Sequence, residues 1–144
     1  MPICLRSAIL AIGLLALVFS FSRESLAAND MFAKDPAELT ASLKAARAGD
    51  VVLKSGNWPN IQISVRNGGE FGKPVEIRAE RPGHVVFIGS SSLEINARYV
   101  TVSGLLFNKG ALGRGSVIQF NSHHGIVRDT AIINYNPASF ETAY

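Results

Sequence analysis

Three hydrophobic patterns succeed one another along the chain. Ala8–Phe21 is unbroken apolar or small sequence, AILAIGLLALVFSF, behind the single positive charge of Arg6. It falls short of the roughly 20 apolar residues that a spanning helix needs. Ser25-Leu26-Ala27 then places small residues before a cleavage point. Residues 1–28 read as a secretory signal, cut after Ala27 or Ala28. The second pattern has helical period. Asp35 can cap, Pro36 suits the first helical position, and Glu38 sits three residues after the cap. Leu39, Leu43 and Ala46 share one face, and Gly49 is the stop. A helix of about three turns is expected inside an N-terminal extension, residues 29–49.

From residue 50 the period becomes two. The apolar runs are Val51–Lys54, Ile61–Val65, Val75–Ala79, Val85–Ile88, Leu93–Asn96, Tyr99–Phe107, Ser116–Phe120 and Ile126–Tyr135. Turn clusters separate them: Ser55-Gly56-Asn57, Asn67-Gly68-Gly69, Arg81-Pro82-Gly83, Gly89-Ser90-Ser91, Asn108-Lys109-Gly110 and Asn121–Gly125. No second helical pattern lies between them, which disfavours βαβ units. A sandwich, a barrel or a β-solenoid remains.

A repeat of 25 residues bears on that choice. It lays Leu93-Glu94-Ile95-Asn96 over Ile118-Gln119-Phe120-Asn121, Val75 and Ile77 over Val100 and Val102, Val102 over Val127, and Phe107 over Ile132. One turn of a parallel β-helix has this size. Each coil would stack its inward Val, Ile, Leu and Phe on the next, and Asn96 over Asn121 would start an Asn ladder. Alternation points Ile95 and Val102 inward, and Glu94 and Ser103 outward. Any Val/Ile-rich β sequence yields some matches, so periodicity alone leaves a sandwich open. In a solenoid the helix would cover the first coil and Trp58-Pro59 would pack beneath it. About four coils fit in residues 50–144, with no closing element after Ile133, so the chain reads as the front of a longer protein.

Composition narrows the class. The 144 residues are 47% hydrophobic and 17% charged, with net charge +3. That excludes a disordered chain. Removing the signal, with Arg6, Arg23 and Glu24, leaves +2. No run of Lys or Arg marks a nucleic-acid partner. The lone Cys4 leaves with the signal, so neither a disulfide framework nor a cysteine metal site is expected. The mature chain is expected in the periplasm or outside the cell, without membrane contact.

Several ordered segments resemble one family. Glu38–Asp50 with Val51–Lys54 and Gly56-Asn57-Trp58 resembles the opening of the family-six polysaccharide lyases, the alginate lyases related to chondroitinase B. Lys73–Gly89, KPVEIRAERPGHVVFIG, is similar to that family's second coil. Ser91–Ile95, Tyr99–Phe107, Ile132–Tyr135 and Phe140–Tyr144 continue the likeness in order. The resemblance implies a right-handed parallel β-helix, with residues 50–144 as its first coils. It also implies calcium-assisted β-elimination on an anionic uronic-acid polysaccharide, alginate first. A chondroitin or dermatan lyase, an epimerase on a similar helix, and a non-catalytic exported solenoid that binds polysaccharide are the alternatives.

The chemistry implied by the resemblance uses calcium held by Asn and Glu, a Lys base and an Arg acid, all on later coils. No counterparts are found here. There is no Glu-x-Glu pair, and Glu70, Glu76, Glu80, Glu94, Asp129 and Glu141 are dispersed. No residue of this chain is assigned a catalytic or metal-binding role. Five residues are candidates for contact with substrate. Lys109 and Arg114 flank the glycine-rich Gly110-Ala111-Leu112-Gly113, and loops on a rigid scaffold commonly carry binding. His123 and His124 occupy a turn, and Tyr135 could stack on a sugar. Ordinary solvated charge, a solvated turn and core filling are the plainer readings of the same residues. Arg78 and Arg81 around Glu76 and Glu80 read as an exposed, ion-paired strand and turn.

Overall fold

The structure, a computed structural model, describes residues 30–47 and 49–136. The expected signal, residues 1–28, lies outside the described residues. So does the family-like segment Phe140–Tyr144.

The chain opens with strand β1 (Met31–Ala33) and helix α1 (Pro36–Ala45). Asp35 caps the helix: its carboxylate accepts from the Glu38 backbone N–H at 2.8 Å. The helix ends at Ala45, before the expected stop, and Gly49 instead begins strand β2 with φ +132. Leu39, Leu43 and Ala46 are buried, as their spacing predicted.

Strands β2 (Gly49–Leu53), β3 (Gly56–Pro59) and β4 (Gln62–Val65) make the first coil. Strands β5 (Val75–Ala79), β6 (Val85–Gly89) and β7 (Ser92–Ile95) make the second. The third is β8 (Val100–Ser103), β9 (Leu105–Gly110) and β10 (Ile118–Phe120), and β11 (Gly125–Arg128) with β12 (Ala131–Tyr135) begins a fourth. Every pairing between named strands is parallel, and they form three sheets: β1-β2-β5-β8-β11, β3-β6-β9-β12 and β4-β7-β10. This is a parallel β-solenoid, and the sandwich and barrel fall away.

The predicted overlay is the observed register. Val51, Ile77, Val102 and Val127 form one column. Trp58, Phe87, Phe107 and Ile132 form another. Phe87 stacks on Phe107 with ring centroids 5.1 Å apart, about the spacing of neighbouring strands. Trp58 tilts onto Phe87 at 6.1 Å and belongs to the same buried cluster as Leu39 and Leu43. The Asn ladder is present: Asn121 Nδ2 donates to Asn96 Oδ1 at 2.8 Å.

Some expectations need correction. The apolar run 99–107 is two strands, because Gly104 (φ +76) turns the chain between sheets. The run 126–135 breaks in the same way at Asp129 (φ +52). Hydrophobicity continues across such a corner, so period alone does not show it. Gly56-Asn57, read as part of a turn, pairs in a strand together with Trp58-Pro59, because Trp58 must face the core. Ser103 does point outward, yet it is buried: its hydroxyl donates to Glu76 Oε1 at 3.4 Å beneath charged side chains of that face. The described residues hold three full coils and two strands of a fourth. The inward-column residues Phe120, on the last strand of the third coil, and Ile132, in the fourth, are about half exposed.

Candidate functional site

The outer surface of the solenoid has three faces and the corners between them. On the face of the β1-β2-β5-β8-β11 sheet, charges pair between coils. Arg78 Nε donates to Asp50 Oδ2 at 2.9 Å, and Arg128 Nη2 to Glu76 Oε1 at 2.7 Å. Arg78 also reaches Asp30 at 3.2 Å. The ion-paired strand expected here is real, but its partners come from other coils. At the adjoining corner the Lys54 ammonium bonds the Glu80 carboxylate at 2.6 Å and holds its pKa below the usual value. These pairs are solvent-facing and each is worth little.

Lys109 sits at the end of β9 in the left-handed conformation (φ +53), exposed. It lines a cleft of about 520 Å³ on the outer face of the β3-β6-β9-β12 sheet, with Asn57, Asn60, Ile88 and Asn108. Gly110 beside it must be glycine, because an added Cβ would strike the Gly89 carbonyl and the Tyr135 ring. Arg114 projects from the exposed part of the loop that joins β9 to β10.

Tyr135 is held rather than presented. Its hydroxyl donates to the Ser91 carbonyl at 2.7 Å, and its ring meets Phe107 edge-on at 6.0 Å. Burial pushes its phenol pKa above the ordinary 10.0. A raised folded-state pKa gives stability that is complete below the unfolded pKa and is lost as pH rises through the folded one. Tyr135→Phe is expected to cost about 1 kcal/mol at pH 8 through the lost hydrogen bond. That difference should shrink above the ordinary tyrosine pKa, as urea midpoints of both proteins across pH 8–11 will show.

His123 and His124 occupy the corner between β10 and β11, both exposed, with their Nδ1 atoms facing one another. His124 (φ +59) lies flat on Tyr99, centroids 4.7 Å apart and planes 24° apart. The five candidates therefore do not form one site. Lys109 and Tyr135 flank Gly110, Arg114 stands on the next loop, and the two histidines lie at a different corner. The histidine corner also holds residues the sequence reading passed over: Phe71, Tyr99, Arg66 and Arg98. The signal available for them was Gly68-Gly69 and Gly72 around an isolated Phe. Among the described residues, no group of three or more His, Cys, Asp or Glu could hold a metal ion.

A parallel solenoid with in-register aliphatic and aromatic columns and an N-terminal helix packed on its core defines the parallel β-helix class. The profile of the Chondroitinase B family matches residues 33–143, and the chain belongs to that family. Among solved structures, it is similar to the PL6 family polysaccharide lyase Pedsa3628 from Pseudopedobacter saltans, with 37% identity and TM-score 0.77. That match covers 79% of this chain and 27% of the other. The PL6 family alginate lyase AlyGC is 31% identical with TM-score 0.68, covering 72% of this chain and 15% of that one. A mannuronic acid specific family 6 lyase from human gut microbiota is 28% identical with TM-score 0.55, covering 72% and 25%. The chain thus spans about a quarter or less of the length of these lyases. No curated protein gives a match.

Proposed function

We propose that these coils are the N-terminal part of an exported lyase that cleaves a uronic-acid polysaccharide, alginate first, by β-elimination. The family match over residues 33–143, together with 37% identity to a solved PL6 lyase, carries this reading. In such a reaction a base takes the C5 proton beside the uronate carboxylate. The C4–O bond breaks, an acid gives the departing sugar oxygen a proton, and the other product keeps a C4=C5 double bond. A group that neutralises the carboxylate stabilises the charge that develops. The described carboxylates do not fit a calcium site: no three of the described His, Cys, Asp or Glu residues converge, and Glu76, Asp50 and Glu80 are each bound to a cation from another strand or loop. Calcium, base and acid are therefore assigned to coils outside the described residues, and no step is routed through this part of the chain. Its role is to found the solenoid on which those coils stack. The apolar stretch Ala8–Phe21 supports export to the periplasm or beyond.

The test is the rise in ultraviolet absorbance from unsaturated product, with polymannuronate, polyguluronate and dermatan, in calcium and in chelator. A protein that continues this chain to the length of its solved relatives is expected to release product from at least one uronate polymer. Residues 29–144 alone are expected to give none, since removing one charge-stabilising group already costs about 10²–10³ in rate. Clear turnover by residues 29–144 would mean that His123, His124 or Tyr135 carries chemistry assigned to later coils. No turnover by the longer protein on any of the polymers would favour a solenoid that only binds polysaccharide.

A further inference from the structure

The corner between the β4-β7-β10 and β1-β2-β5-β8-β11 sheets carries an arrangement that neither the coil-stacking nor the elimination chemistry explains. After β4 the chain leaves the solenoid in a small hairpin. Glu70 and Lys73 bond each other in both directions, N–H to carbonyl, at 3.0 and 2.9 Å. Gly72 (φ +75) makes the tight turn between them. Gly68 lets the hairpin lie against the next coil, where an added Cβ would strike the Arg98 backbone, and Gly69 lets the hairpin close on itself, where a Cβ would strike Lys73–Pro74. The backbone is thus fixed on both sides of its tip, and the tip displays Phe71 with 89% of its surface exposed.

Phe71 does not stand alone. Its ring meets Tyr99 of the next coil at 6.4 Å and 80°, and Tyr99 carries His124 of the coil after that, stacked at 4.7 Å. Three successive coils thus contribute one aromatic ledge along the solenoid axis. Beside it runs a shallow cleft of about 390 Å³, lined by Arg66, Arg98, Asn96 and Ser122. Among the described residues no carboxylate forms an ion pair with Arg66 or Arg98, and Arg66 bonds only the Ser64 hydroxyl, at 3.4 Å. Lys73 adds a third cation and Glu70 one opposing charge on the hairpin.

We infer that this corner is a docking ledge for an anionic glycan, with a uronate ring stacked on Phe71 and its carboxylate taken by Arg98 or Arg66. A pyranose has an apolar C–H face that matches an exposed aromatic face. A uronate adds a planar carboxylate that a guanidinium fork accepts with two parallel hydrogen bonds. A large exposed aromatic beside two unpaired arginines suits that pairing of features, whereas a neutral sugar would leave the arginines unused. The choice of a uronate rests on the proposed function; the ledge itself rests on the geometry of the corner.

Titration calorimetry of the full chain with hexamannuronate, hexaguluronate, a sulfated hexasaccharide and cellohexaose tests the inference. Binding of at least one hexauronate is expected, with cellohexaose at least tenfold weaker. Phe71→Ala and Arg98→Gln are each expected to weaken it about tenfold, and Phe71→Trp to restore or strengthen it. Phe71 is nearly free of the core, so an unchanged circular dichroism spectrum will show that the Ala variant is folded. Equal affinity for cellohexaose, or hexauronate binding indifferent to both substitutions, overturns the inference. A preference for the sulfated sugar keeps the ledge but overturns the uronate assignment. Because binding is read without turnover, Phe71-dependent binding stands even if the longer protein cleaves no uronate. Cleavage without such binding would leave the lyase reading intact and remove the ledge.

Discussion

Val102→Asp is expected to unfold the protein. Val102 lies on β8 between Ile77 and Val127, in register with both, and has no exposed surface. Its neighbours in the core are aliphatic or aromatic, so a carboxylate there would have no cation and no donor to face. Such a group either stays charged without solvation or takes up a proton at a pKa far above its usual value. Either route costs several kcal/mol, against a total stability of about 5–15 kcal/mol for an ordinary domain. Glu94→Gln on β7, one residue from inward Ile95, is the control. Glu94 is exposed, and its loss should change stability by no more than about 0.5 kcal/mol. Thermal unfolding followed by circular dichroism reads both. A cooperative transition for Val102→Asp near that of the parent would mean that the column through Ile77, Val102 and Val127 does not face the core.

Phe87→Ala has the second largest expected effect, a loss of about 3–5 kcal/mol. Phe87 is fully buried between Trp58 above and Phe107 below. Its removal opens a hole in the aromatic column that neighbours pinned by parallel ladders on both sides cannot easily close. Trp58, the single tryptophan, is the reporter. It is 4% exposed and lies against the deleted ring. Urea unfolding followed by its fluorescence should show the lower midpoint, and the native emission should shift to longer wavelength as water enters beside the indole. An unchanged native emission would mean that the column had collapsed onto the gap, and the loss would then fall below the range given.

Much of the solenoid was legible before any coordinates. Leu93 over Ile118, Val75 over Val100 and Asn96 over Asn121 were each readable from the 25-residue repeat. A parallel solenoid stacks equivalent residues, and a slip of one would turn every inward side chain to solvent. The helix start was equally plain, because Asp35, Pro36 and Glu38 act on backbone groups within one turn. The corners were less plain. Gly104 and Asp129 each turn the chain with one left-handed residue inside an otherwise apolar run, and a window that counts hydrophobic period averages across it. The five proposed contact residues illustrate the limit for sites. Their residue types suited the chemistry, but Tyr135 is committed to Ser91 and Phe107, and His123 and His124 stand at another corner from Lys109.

The sequence by itself determined the coil repeat, the inward columns, the capping helix and the family. Each depends on neighbours close in the chain or on a repeat that one shift reveals. Only the tertiary structure decided which polar groups meet. Arg78 joins Asp50, Arg128 joins Glu76, and Ser103 is covered although it points outward. Phe71, Tyr99 and His124 come together from three coils. Tyr99 and His124 lie one 25-residue repeat apart, but Phe71 stands 28 residues before Tyr99 on a longer corner loop, so no constant offset connects all three. Their meeting is set by how far each loop carries its side chains along the axis, and coil stacking alone fixes that distance.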